Sequence, residues 1–412
     1  MNIKKNIIPI LILLFCIWNK FFNFKPFVEA QWYSQLSDIF TLCFVIFLLK
    51  EIIKKREKFS MANRLSIICI IFFFSIFWSY ILRGQSIYGS LRALTNLFPI
   101  IIFFFLLKYK IENQHVVKTM VVLCVMYIFF HLSALSTYPN QLFGYNENLM
   151  EQADTTLEHR GVLRLGIPGP DIIVAMIFLV LTKYRHKKCF YLLLIPLFSM
   201  LLLRGTRTPL FVTLVICLIY YLWQMKHKFV TFLMGVMLFA ILNIAYEHLL
   251  NSNSDDVLTN YVQMTALQLE NNNDTEDIRV EMSRYYFTQF NDNVFEVIFG
   301  NGVPFGKSDY GKEVSRLSDA RLYYLADVGI TDIFVLFGVI GLIAYGLLLL
   351  SVIRTKIDEK YMFAKLYIFY TYLILPTNVS LISLAPMIFA MNLYLVYNAR
   401  IEKDIKPSCL KV

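Results

Sequence analysis

The chain of 412 residues is 58% hydrophobic and 17% charged, with a formal net charge of +10. That composition excludes a soluble globular domain. It also argues against a nucleic-acid surface, because the lysines gather in short loops between apolar runs, the distribution that the positive-inside rule produces.

Apolar stretches long enough to cross about 30 Å of hydrocarbon recur through the chain. Twelve spans are expected, at 6–22, 32–49, 65–82, 93–107, 117–136, 168–182, 189–203, 208–224, 229–247, 330–352, 361–376 and 380–397. The first follows Lys4 and Lys5 as a signal peptide would. Its end, Trp18-Asn19-Lys20-Phe21, offers no small-residue cleavage site, so it is expected to stay as a span. The chain then divides into helices one to five (1–136), a first long outer loop (137–167), helices six to nine (168–247), a large outer loop (248–329), and helices ten to twelve with a tail (330–412). With the N-terminus inside, the loops 50–64, 108–116, 183–188, 225–228 and 353–360 and the tail after Ala399 are all cytoplasmic and all basic. Both termini are therefore expected inside.

Along the spans, Asp38 is a costly carboxylate that is buried or snorkels from near the outer end, with a polar cavity as the further alternative, and His131 reads as a helix-packing histidine. No cysteine lies in an outer loop, so no external disulfide framework is expected, and no Cys/His spacing suggests a metal. In the large loop, Leu258 to Leu269 and Val280 to Ile298 have helical apolar spacing and are expected to lie along the membrane surface. No Asp-x-Asp triplet, Walker motif, GxSxG elbow or HExxH appears.

The two faces use different cations. The outer ends and loops hold Arg83, Arg92, Arg160, Arg164, Arg204, Arg207, Arg279, Arg284, Arg316 and Arg321 against only Lys20, Lys25, Lys307 and Lys312, whereas the inner side has 20 lysines and 5 arginines. Topology does not distinguish the two cations, but a planar, always-charged fork suits phosphate and carboxylate. The outer arginines of residues 249–329 sit among 13 acids and 6 bases, so they are not part of a general basic field.

Three outer segments carry candidate chemistry. The hairpin Leu203-Arg204-Gly205-Thr206-Arg207-Thr208-Pro209 ends in a proline suited to a helix's first turn. The free N–H groups of that helix then face outward beside two arginines, an anion site on general grounds, although both arginines would also reach lipid headgroups. The segment His159-Arg160-Gly161-Val162-Leu163-Arg164-Leu165-Gly166-Ile167-Pro168-Gly169-Pro170-Asp171 breaks the helix at span six. Its Asp171 reads either as a helix cap or as a general base. In the third, Arg279 and Arg284 precede a helical stretch and the turn Phe299-Gly300-Asn301-Gly302. Ser318-Asp319-Ala320-Arg321-Leu322-Tyr323-Tyr324 then leads to span ten, with Asp319 a base candidate or a partner of Arg321. Arg83, Arg92 and Arg316 have no motif around them, and Arg83 and Arg92 read as interfacial anchors.

These segments, in this order, resemble the O-antigen polymerase family (Wzy) and its relative, the O-antigen ligase family. The pieces that match are Arg164-Leu165-Gly166, Gly205-Thr206-Arg207-Thr208, Arg279 upstream of Phe299-Gly300-Asn301-Gly302, and Asp319 to Leu325 followed by Gly329 and Gly341. Ligases usually place a histidine where this chain has Ser318-Asp319-Ala320, which favours polymerase. The resemblance implies an all-α polytopic membrane protein of about twelve helices, GT-C-like, in the bacterial inner membrane. It implies a metal-independent glycosyltransferase without cofactor that works on the periplasmic face. Its substrate would be an undecaprenyl-pyrophosphate-linked oligosaccharide, and a chain-length regulator protein is a plausible partner. Arg164, Arg207 and Arg279, then Arg160, Arg204, Arg284 and Arg321, would hold the pyrophosphate, with Asp319 or Asp171 as base. The alternatives are a ligase acting on lipid A-core and a flippase or transporter. A carrier would show paired halves, and none are visible.

Overall fold

The computed structural model describes residues 6–54, 56, 60–138, 140–145, 165–204, 207–224, 237, 277–378 and 385–405, and these contain helices and no strand. In chain order the main helices are α1 (Ile7–Trp18), α2 (Gln31–Ile53), α3 (Met61–Arg83), α4 (Ile87–Leu94), α5 (Ile102–Lys108), α6 (Asn113–Ser136), α7 (Asp171–Lys183) and α8 (Phe190–Leu203). They continue with α9 (Arg207–Gln224), α10 (Ile278–Thr288), α11 (Val294–Phe299), α12 (Asp309–Arg321), α13 (Gly329–Arg354), α14 (Met362–Leu373) and α15 (Pro386–Ile405). By length and composition, α3, α6, α9 and α13 can each cross a membrane, and the bent pair formed by α4 and 98–108 would be a fifth such span. Among the described residues, four or five spans meet this criterion, fewer than the twelve expected. The expected ninth, 229–247, lies almost wholly outside the described residues, as do 146–164 and 258–269.

Phe74, Phe77 and Ile81 on α3, Phe129 on α6, Leu192 and Ile195 on α8 and Phe211 on α9 are all exposed. Apolar surface on that scale does not face water in a monomer and fits hydrocarbon. The protein is a multi-pass membrane protein. Its interior is apolar and aromatic, with Phe103, Phe104, Phe178, Phe363, Tyr367 and Tyr370 fully buried between helices.

Three departures from straight spans position the site. The expected fourth span is bent by 62° between α4 and 98–108. Pro99 has no N–H and opens the second limb as a 3-10 turn, while the Thr95 hydroxyl donates to Arg92 O at 2.7 Å and closes the first. At the end of α1, four consecutive residues, Lys20, Phe21, Phe22 and Asn23, have φ of 45°, 50°, 59° and 52°. Each left-handed non-glycine residue costs roughly 1–2 kcal/mol. The turn is clamped: Asn23 Nδ2 donates to Gly166 O at 2.7 Å, Gly144 N to Phe22 O at 2.9 Å and Tyr145 N to Asn23 O at 3.1 Å.

The third departure lies in α13, which breaks at Gly338 (φ 64°). The Val335 and Leu336 carbonyls there accept from Asn301 N (2.8 Å) and Gly302 N (2.9 Å). The Phe299-Gly300-Asn301-Gly302 segment is therefore a plug seated in a broken span, more than a surface turn. In a membrane each freed backbone group needs such a partner.

The 278–299 stretch is also not one surface helix. Asn291-Asp292-Asn293 interrupts it, and Asn293 caps α11 by accepting from Glu296 N at 3.1 Å. α10 and α12 instead close over the head of α13 around a small core of Met282, Tyr286, Phe290, Tyr310, Leu317 and Phe334.

Long-range hydrogen bonds join ends that the alternation of basic loops places on the same side. Arg83 meets Asn301 and Asn23 meets Gly166 at one end, while Tyr394 meets Ile111 and Asn398 meets Asn113 at the other. The first of these is hereafter called the outer end, after the side expected from the charge pattern of the sequence.

Candidate functional site

Asp171 opens α7 directly after the Pro168-Gly169-Pro170 turn. Gly169 holds φ 79°, and the Phe15 ring lies 2.6 Å from where its Cβ would stand, so only glycine fits there. Asp171 is 0% exposed. Its Oδ1 accepts from Arg204 Nη1 at 2.8 Å and from the Tyr370 hydroxyl at 3.4 Å, while Oδ2 has no hydrogen-bond partner among the described residues. Arg204 lies at the C-terminal end of α8, and half-buried Arg207 starts α9 three residues later. A buried carboxylate is tolerated only when paired, and Arg204 is the cation that pairs with it. The structure thus joins two residues that the sequence offers in separate roles, base and pyrophosphate ligand.

The other arginines stand on the outer helices. Arg279 and Arg284 are exposed on α10. Arg321, also exposed, lies over the rings of Tyr285 (5.3 Å) and Tyr323 (5.9 Å) at the end of α12, which holds it beside α10. The Tyr323 hydroxyl donates to Glu281 Oε1 at 2.6 Å, and that bond raises the phenol's pKa above its ordinary value. Asp319 is exposed on α12, and no salt bridge joins it to Arg321. Arg160 and Arg164 lie outside the described residues.

Two arginines set aside as interfacial anchors have other places. Arg83 is a hub, its side chain only 9% exposed: Nε donates to Asn301 Oδ1 at 2.8 Å, and Nη2 donates to Phe290 O at 3.1 Å and to Glu296 Oε2 at 3.0 Å. Glu296 is 2% exposed, so this is a desolvated pair that fixes α11 and the plug to the end of α3. Arg92 Nε pairs with Asp38 Oδ2 at 3.2 Å, and the Thr95 hydroxyl donates to Asp38 Oδ1 at 2.9 Å. Asp38 therefore faces a polar neighbourhood, one of the two readings the sequence left open. Nothing local marks Arg83, because its partners lie more than 200 positions away in sequence. The one available signal was a buried-type acid, Glu296, following an Asn cap.

Residues 191–346 match the O-antigen ligase family model, Wzy_C. The Wzy_C region runs from α8 through the break in α13, and so takes in Arg204, Arg207, Arg279, Arg284, Asp319 and Arg321. It excludes Asp171 and all of α1 to α7. That region is similar to the O-antigen ligase family over 191–346, and the apolar helices around it make the chain a helical membrane protein. No curated protein and no solved structure matches the chain.

Proposed function

We propose that the protein is an O-antigen polymerase of the bacterial inner membrane, with both termini cytoplasmic and the outer end facing the periplasm. The observation that carries the coarser part of this reading, an enzyme of the O-antigen ligase and polymerase group, is the Wzy_C match over 191–346. Ser318-Asp319-Ala320, where ligases usually place a histidine, supports polymerase over ligase. The description of the matching family as O-antigen ligase favours the second reading, transfer of finished polysaccharide to lipid A-core.

In the polymerase reading, a hydroxyl of the incoming repeat unit attacks the anomeric carbon of the growing chain. The new C–O bond forms as the bond to undecaprenyl pyrophosphate breaks, and the hydroxyl proton passes to a carboxylate. Charge building on the leaving pyrophosphate is the main barrier, and fixed donors in a partly water-excluded site lower it. Arg207, Arg279, Arg284 and Arg321, with Arg160 and Arg164, are assigned to that charge. Arg204 is assigned to it as well, oriented by Asp171, which acts as a positioning residue. Exposed Asp319 is left as the proton acceptor. A chain-length regulator protein is the expected partner.

The test in cells is the lipopolysaccharide banding pattern. A deletion strain should carry single repeat units on its lipid core, and an Arg207→Ala allele that still reaches the membrane should do the same. Arg207→Lys should restore chains poorly, because an ammonium cannot reproduce a two-point fork. Normal long chains with Arg207→Ala would remove that assignment, and loss of even single repeats on deletion would indicate a ligase or flippase.

A further inference from the structure

The left-handed turn at 20–23 presents Lys20 to a cavity of about 640 Å³ at the outer end. Its walls include Lys20, Asp38, Arg92, Thr95, Asn96 and Lys307, drawn from the end of α1, α2, the α4 break and the loop that follows the plug. The size lies within the range of small-molecule sites. None of the arginines on α9, α10 or α12 lines it.

The charge in this cavity is not balanced. Asp38 is its one acid: Arg92 Nε pairs with one of its oxygens, and the other shares the single Thr95 hydroxyl proton with Arg92 O. Arg92 still presents its terminal nitrogens. Lys20 and Lys307 make no ion pair among the described residues. Three cations and one paired acid share one concave space, an arrangement that self-repulsion disfavours until an anion enters. The backbone that delivers Lys20 is itself strained over four residues and held by the 142–145 segment and Gly166. Strain so over-determined is found where a side chain must be placed for use.

A smaller chamber of about 250 Å³ shares the Asp38, Thr95 and Asn96 wall and is closed by Phe15, the ring that touches Gly169 two residues before Asp171. The basic cavity is thus on the same end as the Asp171–Arg204 pair.

We propose that this cavity is a separate oxyanion site, taking the carboxylate of an acidic sugar or the phosphate of a net-anionic lipid headgroup. The glycan-lipid reading supplies only the carrier of the oxyanion. The charge of the ligand follows from the cavity alone.

The test is amine-reactive footprinting of the intact protein in phosphatidylcholine nanodiscs, read lysine by lysine by mass spectrometry. Glucuronate or inorganic phosphate is expected to slow labelling of Lys20 and Lys307 and leave the exposed Lys312 unchanged, with glucose and potassium chloride at equal ionic strength as controls. A headgroup source would appear as protection by phosphatidylglycerol in the disc and not by the soluble anions, and a sugar source as the reverse. Asp38→Asn removes the one repelling charge and should lower the half-protecting concentration about threefold. Unchanged labelling in every arm, or equal protection by chloride, would overturn the proposal. That failure would leave the banding-pattern test of the polymerase reading untouched.

Discussion

Asp171 is fully buried at the head of α7, and the Arg204 guanidinium lies 2.8 Å away. Removing one partner leaves the other buried and uncompensated, a loss of about 3–5 kcal/mol. Asp171→Ala and Arg204→Ala should therefore each lower thermal stability in detergent strongly. The double variant Asp171→Asn/Arg204→Gln should lose far less than the sum, and additive losses would contradict the pairing. Activity separates positioning from proton transfer. If Asp171 orients Arg204, Asp171→Asn slows chain growth but keeps the acid limb of the wild-type pH profile. A proton acceptor would instead take that limb with it, along with about 10²–10⁴-fold in rate. The residue types at this site were legible in the sequence, because arginine in place of lysine on one face is a chemical choice. The pairing was not, since 33 positions separate the partners and either one alone has a plausible solitary role. Arg83 shows the same limit more strongly, because a helix-terminal arginine before a glycine looks like an anchor until its distant partners fold around it.

At the scale of elements, the break in α13 organises the outer helices. Gly338 and Gly300 both hold positive φ, and a Cβ at either would collide with backbone: Ile298 O for the first, the Phe337 N–H for the second. Alanine at either position should cost more than the roughly 1 kcal/mol of the left-handed strain alone, because backbone cannot move aside as a side chain can. Gly346→Ala in the same helix meets nothing within 4 Å and should be neutral or stabilising by up to about 1 kcal/mol. Unfolding midpoints of the three variants in detergent check this ordering, and equal effects would deny the plug its role. The sequence showed span ten clearly from its apolar length. It did not show the break, because Gly338, Gly341 and Gly346 look alike in a membrane helix and only the approach of residues 298–302 distinguishes one. The bent fourth span was partly readable, since Pro99 sits inside the expected 93–107 stretch. The left-handed turn at 20–23 was not, because Lys and Phe do not favour that region and Asn23, which tolerates it, does not by itself announce a run of four.

For the whole molecule, the ends that share a side in the structure are the ends that charge alternation puts together, and the arginine-rich end is the one that holds the Asp171–Arg204 pair, the plug and the basic cavity. A one-sided concentration of broken spans and paired charges is what a membrane enzyme working on a lipid-linked anion requires, with the rest of each helix serving as an apolar scaffold. The direct measurement is reconstitution. Purified protein in proteoliposomes would be given an undecaprenyl-pyrophosphate-linked oligosaccharide repeat unit, with and without lipid A-core, and the products resolved by size. The account predicts a ladder of lengthening chains from the repeat unit alone, lost with Arg207→Ala. Transfer to lipid A-core with no ladder would contradict it and make the protein a ligase.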